Sequence, residues 1–135
     1  MNRTSIALLA LGLMAAGCTK SRAAAEAATE TFHVRFSDGK YADIYQDASP
    51  ELHKAITEAA FVAMMQGVSR KLGGFRAASP AGWKVHTATN GQTVTLGYSS
   101  TFEKGKANET FTWISHGEAM QLQNYNVNSQ AFVLN

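Results

Sequence analysis

The side chains that could do chemistry are Asp43, Glu103 and Glu109, the histidines His86 and His116, and the tyrosines Tyr41, Tyr45 and Tyr98. A carboxylate or imidazole can act as base, and a tyrosine hydroxyl can donate to a developing oxyanion. No two of them stand at a spacing that demands such chemistry. The charged ones read as solvated surface and the tyrosines as core aromatics with polar tips. Asp43 falls off the i, i+3, i+4 stripe of its apolar neighbours and points outward. His116 and Glu118 flank Gly117, a turn signal, and two ligands leave a metal site unfinished. His33 and His53 lie on expected helices with no second histidine four residues on, and they read as surface histidines. Gly73-Gly74 follows a helix instead of opening one, so it cannot offer helix-start amides to a phosphate. The expectation is therefore no catalytic residue, no metal and no cofactor.

Cys18 is the one cysteine in the chain. It follows a basic start at Arg3, the apolar run Ile6 to Met14, and Ala15-Ala16-Gly17. A run this short, ending in small residues, fits a signal peptide better than a span of about 20 residues. The segment Ala15-Ala16-Gly17-Cys18 resembles the lipobox of bacterial lipoproteins. That resemblance implies removal of residues 1–17 and lipidation of Cys18. It also implies an anchor in the bacterial cell envelope, in the outer membrane facing the periplasm, because Thr19 replaces the aspartate that marks inner-membrane retention. Disulfides, thiolate metal sites and cysteine nucleophiles are then excluded together.

Without Arg3 the chain carries 11 Lys and Arg against 10 Asp and Glu, almost neutral, and its cations are scattered from Lys20 to Lys106. Nucleic-acid binding, which needs a concentrated basic surface, is not expected. With 45% apolar and 16% charged residues, the mature chain fits one ordinary globular domain.

The elements follow from periodicity. Residues 18–30 read as the lipidated cysteine and a tether running into the first helix, which is expected over about 22–37 with Phe32 and Phe36 on one face. The domain proper is expected over 31–135. A short helix carries Tyr41, Ile44 and Tyr45, and Ser49-Pro50-Glu51 starts another. Thr57-Glu58 opens a longer one, on which Phe61, Met65, Val68 and Leu72 recur at helical period before Gly73 ends it. Alternation of Val94, Leu96, Tyr98 and Phe102 with threonines and serines marks a strand, and Asn90-Gly91 a hairpin turn before it. Strands are expected over about 82–89, 92–104 and 107–115, with a last one from Ala119. In that last strand Met120 and Leu122 share one parity and Tyr125 and Val127 the other, so a β-bulge is expected near Gln123-Asn124. The sum is an α+β fold, with N-terminal helices packed on a curved four-stranded antiparallel sheet.

Several stretches are similar to a known family: Tyr41-Ala42-Asp43-Ile44-Tyr45, Ala48-Ser49-Pro50-Glu51-Leu52, Lys71-Leu72-Gly73, Tyr98 to Glu103, Glu109 to Trp113, and Asn124 to Ser129. They resemble a bacterial group of uncharacterised domains near the cone-shaped superfamily of nuclear transport factor two and ketosteroid isomerase. The resemblance implies a cone-like fold with a pocket between helices and sheet. Its walls would come from Tyr41, Tyr45, Tyr98, Phe102, Phe111, Trp113 and Tyr125, which otherwise simply fill the core. The expected function is a non-enzymatic, membrane-tethered binding module for a small apolar ligand or an envelope protein. An isomerase- or dehydratase-like enzyme using that pocket, and an accessory lipoprotein forming a homodimer through its sheet, are the alternatives.

Overall fold

The computed structural model describes residues 9–117 and 119–134, with side chains from Lys20 onward. The first eight residues of the expected signal segment, the Cys18 side chain and Glu118 lie outside that description. Helix α1 spans Leu9–Ser37, beginning well before the expected start near 22. Alanine-rich sequence with no proline favours helix throughout this stretch. Its buried residues are Ala25, Thr29, Phe32, His33 and Phe36, one stripe at spacings of three and four. Among the described side chains, burial in the core begins at Ala25, inside the segment expected to be a tether.

Three shorter helices follow: α2 (Tyr41–Gln46), α3 (Pro50–Ala55) and α4 (Glu58–Leu72). Ser49 caps α3 by accepting from Leu52 N at 3.3 Å, with Pro50 at the first position, and Thr57 caps α4 by accepting from Ala60 N at 3.2 Å. These side-chain oxygens satisfy amides that have no intrahelical partner. Phe61, Met65, Val68 and Leu72 form the buried stripe of α4 as expected. Gly73 ends the helix at φ 74°, a left-handed conformation that glycine adopts without steric cost.

Four strands form one antiparallel sheet in sequence order: β1 (Phe75–Ala88), β2 (Gly91–Phe102), β3 (Gly105–His116) and β4 (Ala119–Asn128). The helices pack on one face of it. On that face lie Val94, Leu96, Ser100 and Phe102 of β2, and Ala107, Glu109, Phe111 and Trp113 of β3. The register of β3 on β4 shifts between Thr112 and Trp113, whose partners are Asn124 and Leu122, so Gln123 is the extra residue. The bulge thus falls where the parity change puts it. It lets both Leu122 and Tyr125 turn inward. Strand β1 starts seven residues before the expected 82, and its register slips between Pro80 and Gly82. It is an edge strand, where a proline without an N–H is tolerated. A single-turn 3₁₀ helix, Gln130–Phe132, closes the chain behind β4.

Candidate functional site

Glu109 lies at the centre of the inner sheet face and is 1% exposed. A carboxylate there has lost its water and needs donors in compensation. Three are supplied from three elements. His33 Nε2 on α1 is 2.9 Å from Oε1, Ser100 Oγ on β2 donates to the same oxygen at 2.5 Å, and Tyr125 on β4 donates its hydroxyl to Oε2 at 2.6 Å. With both hydroxyls donating, the carboxylate oxygens act as acceptors throughout and the third donor is His33 Nε2–H, a tautomer assigned from the network. Burial, and then the neighbouring Glu109 carboxylate, push the Tyr125 hydroxyl well above its usual value near 10. It therefore remains a donor at any physiological pH.

His33 is held as a plate. Phe75 stacks on its ring at 3.6 Å between centroids and 3° between planes, while Phe32 and Phe111 meet it edge to face at 5.8 and 5.5 Å. Its Nδ1 has no hydrogen-bond partner among the described residues, yet among them only Glu51 Oε2 is both sealed from solvent and unpaired, so Nδ1 is reached by solvent. That atom opens on a cleft of about 830 Å³ between α1 and strands β1 and β2. Thr29, His33 and Tyr98 form the cleft's inner surface, and Val34, Phe75, Ala78 and Pro80 its apolar walls. Arg22, Glu26, Glu30 and Asp38 stand around the rim. The Tyr98 hydroxyl is raised above its usual value, first by burial and then by the Glu26 carboxylate. The chemical content is one imidazole fixed by a sealed carboxylate, one phenol held protonated, and an apolar surface between them. A second hollow of about 210 Å³ lies between α1, α2 and β4, against Phe32, Trp113 and Leu122. The Arg35–Asp47 ion pair, at 2.8 Å, stands at its edge.

Two expectations are corrected by this geometry. Glu109 and His33 read as solvated surface and are both core residues, because each satisfies the other where water cannot reach. Asp43, His86, Glu103, His116 and His53 are exposed, as expected of solvated groups. Of the residues expected to wall a pocket, Tyr98 lines the large cleft and Trp113 the small hollow. Phe102, Phe111 and Tyr125 belong to the core, and Tyr41 and Tyr45 pack against it from α2. The Trp113 Nε1 donates to Thr29 Oγ1 at 3.0 Å, and the Tyr45 hydroxyl to Ile56 O at 2.8 Å.

Residues 25–125 match a family model described as a protein of unknown function, DUF4019. The chain belongs to that family. No curated protein matches it. The family span includes His33, Tyr98, Ser100, Glu109 and Tyr125, and so the whole buried network and all of the cleft's lining but Arg22.

Sequence reasoning named Tyr98 and Tyr125 but missed the part played by His33, Ser100 and Glu109. Parity carried the signal: Glu109 shares it with Phe111 and Trp113, and Ser100 with Tyr98 and Phe102.

The raised Tyr125 gives a pH dependence with a definite sign. Below about pH 10 its hydroxyl is protonated in both folded and unfolded chains, so its contribution is fully present. Above that the unfolded chain loses the proton first, and stability falls until the folded pKa is passed. Denaturant melts between pH 9 and 11.5 should show Tyr125→Phe with a shallower alkaline slope than the parent, by up to about 1.4 kcal/mol per pH unit. Equal slopes would mean that Tyr125 ionises normally.

Proposed function

We propose that this DUF4019 chain is a lipid-anchored envelope lipoprotein that binds a small, largely apolar ligand in the cleft between α1 and the β1–β2 edge of the sheet. The observation that carries the reading is His33, ordered by Glu109 and leaving one nitrogen at the inner end of an apolar cleft. Ligand sites combine an apolar lining with a few fixed polar groups in this way. The anchor rests on the Ala15-Ala16-Gly17-Cys18 sequence, and the resemblance to the cone-like superfamily, whose pockets also lie between helices and sheet, supports the ligand site.

A second reading has its own observation. Tyr98 shares the cleft with His33, so a base and a hydroxyl donor could act on one bound molecule, as an isomerase or dehydratase requires. Binding is the better supported function because the Glu109 carboxylate is sealed and only His33 among the buried acid–base pair reaches the cleft.

Native mass spectrometry of the full-length protein, isolated from bacterial membranes in mild detergent, tests both parts. The expected spectrum shows a diacylglyceryl mass on Cys18 that survives denaturation, and a smaller mass that denaturation releases. An unmodified Cys18 in the membrane fraction would remove the anchor, and an empty cleft under all isolation conditions would count against a resident ligand. Exchange of the released molecule's C–H hydrogens with heavy water, dependent on His33, would favour the enzyme.

A further inference from the structure

The charges around the cleft are unbalanced. Arg22 is its one rim cation, and it is committed to Glu26 at 2.8 Å with its guanidinium carbon 4.5 Å from the centre of the Trp83 ring. Glu30 and Asp38 form no ion pair among the described residues, and both are exposed at the rim. An acidic rim alone is commonplace. Here a second, independent feature points the same way. His33 is 6% exposed, and its Nδ1 is unpartnered toward the cleft. With Nε2–H donating to Glu109, the tautomer assigned from the network leaves Nδ1 as the ring's lone-pair acceptor. The site therefore has acceptors both at its inner end and on its rim, and no uncommitted cation.

We infer that the cleft takes an apolar amine bound as its cation, with the apolar body against Phe75, Pro80 and Tyr98 and the ammonium group turned to the acceptors. The inference rests on the cleft-binding reading above. Carboxylate ligands are disfavoured because Glu30 and Asp38 repel them and Arg22 is already paired. A neutral isostere keeps the apolar contacts and loses the charge.

The test uses 4-phenylbutylamine, 4-phenylbutanol and 4-phenylbutyrate, three probes with the same apolar body. Each is titrated into the detergent-solubilised full-length protein at neutral pH and low salt, and followed by the His33 ring and α1 amide resonances. The expected order is amine, then alcohol, then carboxylate, with the amine about fivefold tighter than the alcohol. Glu30→Gln with Asp38→Asn, both exposed and so without consequence for folding, should bring amine and alcohol to equal affinity. Equal binding of all three probes to the unaltered protein would overturn the inference and leave the cleft reading standing. Binding by none of them would remove both.

Discussion

Glu109→Ala is expected to lower the free energy of unfolding by about 3–5 kcal/mol, because it leaves three buried donors without an acceptor at about 1–3 kcal/mol each, partly relieved by relaxation. The carboxylate is the common acceptor for His33, Ser100 and Tyr125, which reach it from α1, β2 and β4. Removing it leaves three buried donors facing a void, each costing the desolvation that the carboxylate had offset. Domains of this size are stable by about 5–15 kcal/mol in all, so the variant should approach the edge of folding. Glu109→Gln keeps one acceptor oxygen and should lose less, about 1–3 kcal/mol, with the amide N–H₂ set against one of the donors. Urea denaturation of the three proteins measures this directly. A loss below about 1 kcal/mol for the alanine variant would mean that water or a rearranged partner replaces the carboxylate.

The same network bears on function through what a purely structural core would use in its place. An apolar pair of similar volume usually serves stability as well as a buried hydrogen-bonded polar pair does. His33→Phe with Glu109→Leu should therefore recover part of what Glu109→Ala loses, while abolishing the acceptor that opens on the cleft. The polar centre adds a fixed, hydrogen-bonding atom at the inner end of the cleft, and that is a property of a site.

Much of the fold was legible because burial on one face leaves a period. The α4 stripe of Phe61, Met65, Val68 and Leu72, the alternation of β2 and β3, and the bulge at Gln123 all follow from side chains that must face the helices. Strand β1 left no such trace before residue 82. It is an edge strand with most of its residues exposed on either face, so nothing forces Ala77, Ser79 or Arg76 to alternate in polarity. That α1 is already helical before residue 22 was equally silent, since alanine-rich sequence sets no helix boundary of its own.

The site was half legible. Parity placed Glu109 inward beside Phe111 and Trp113, but the general rarity of buried glutamate outweighed that pattern. What the sequence does not display is the partner. His33 is 76 positions away, and the pairing depends on how far along the sheet α1 comes to rest. Adjacent to Phe32 on the same helix, His33 can be turned inward only by a helix whose buried stripe is wide enough to take both positions. The cleft itself arises between α1 and an edge strand, a gap that no single element's periodicity describes.

Phe111→Ala should be as damaging as the loss of Glu109, and for a related reason. Phe111 is fully buried, and its ring lies 5.0 Å from Phe32 and Tyr125, 5.5 Å from His33 and 6.0 Å from Tyr98. Truncating a buried phenylalanine costs about 3–5 kcal/mol through lost transfer energy and the cavity left behind. This cavity would lie beside the His33 ring, which would lose an edge contact, while the Tyr125 ring would lose a tilted one. Phe111→Leu refills most of the volume and should cost much less. The informative comparison is the double variant with Glu109→Gln. Because both changes act on His33 and Tyr125, their combined loss should fall short of the sum by about 0.5–3 kcal/mol, the range found for residues that share partners. Strict additivity in urea melts would mean that the aromatic cluster and the carboxylate network are separate objects. The expected shortfall would instead make them one, with the nitrogen facing the cleft held in place by the same contacts that hold the sheet to its first helix.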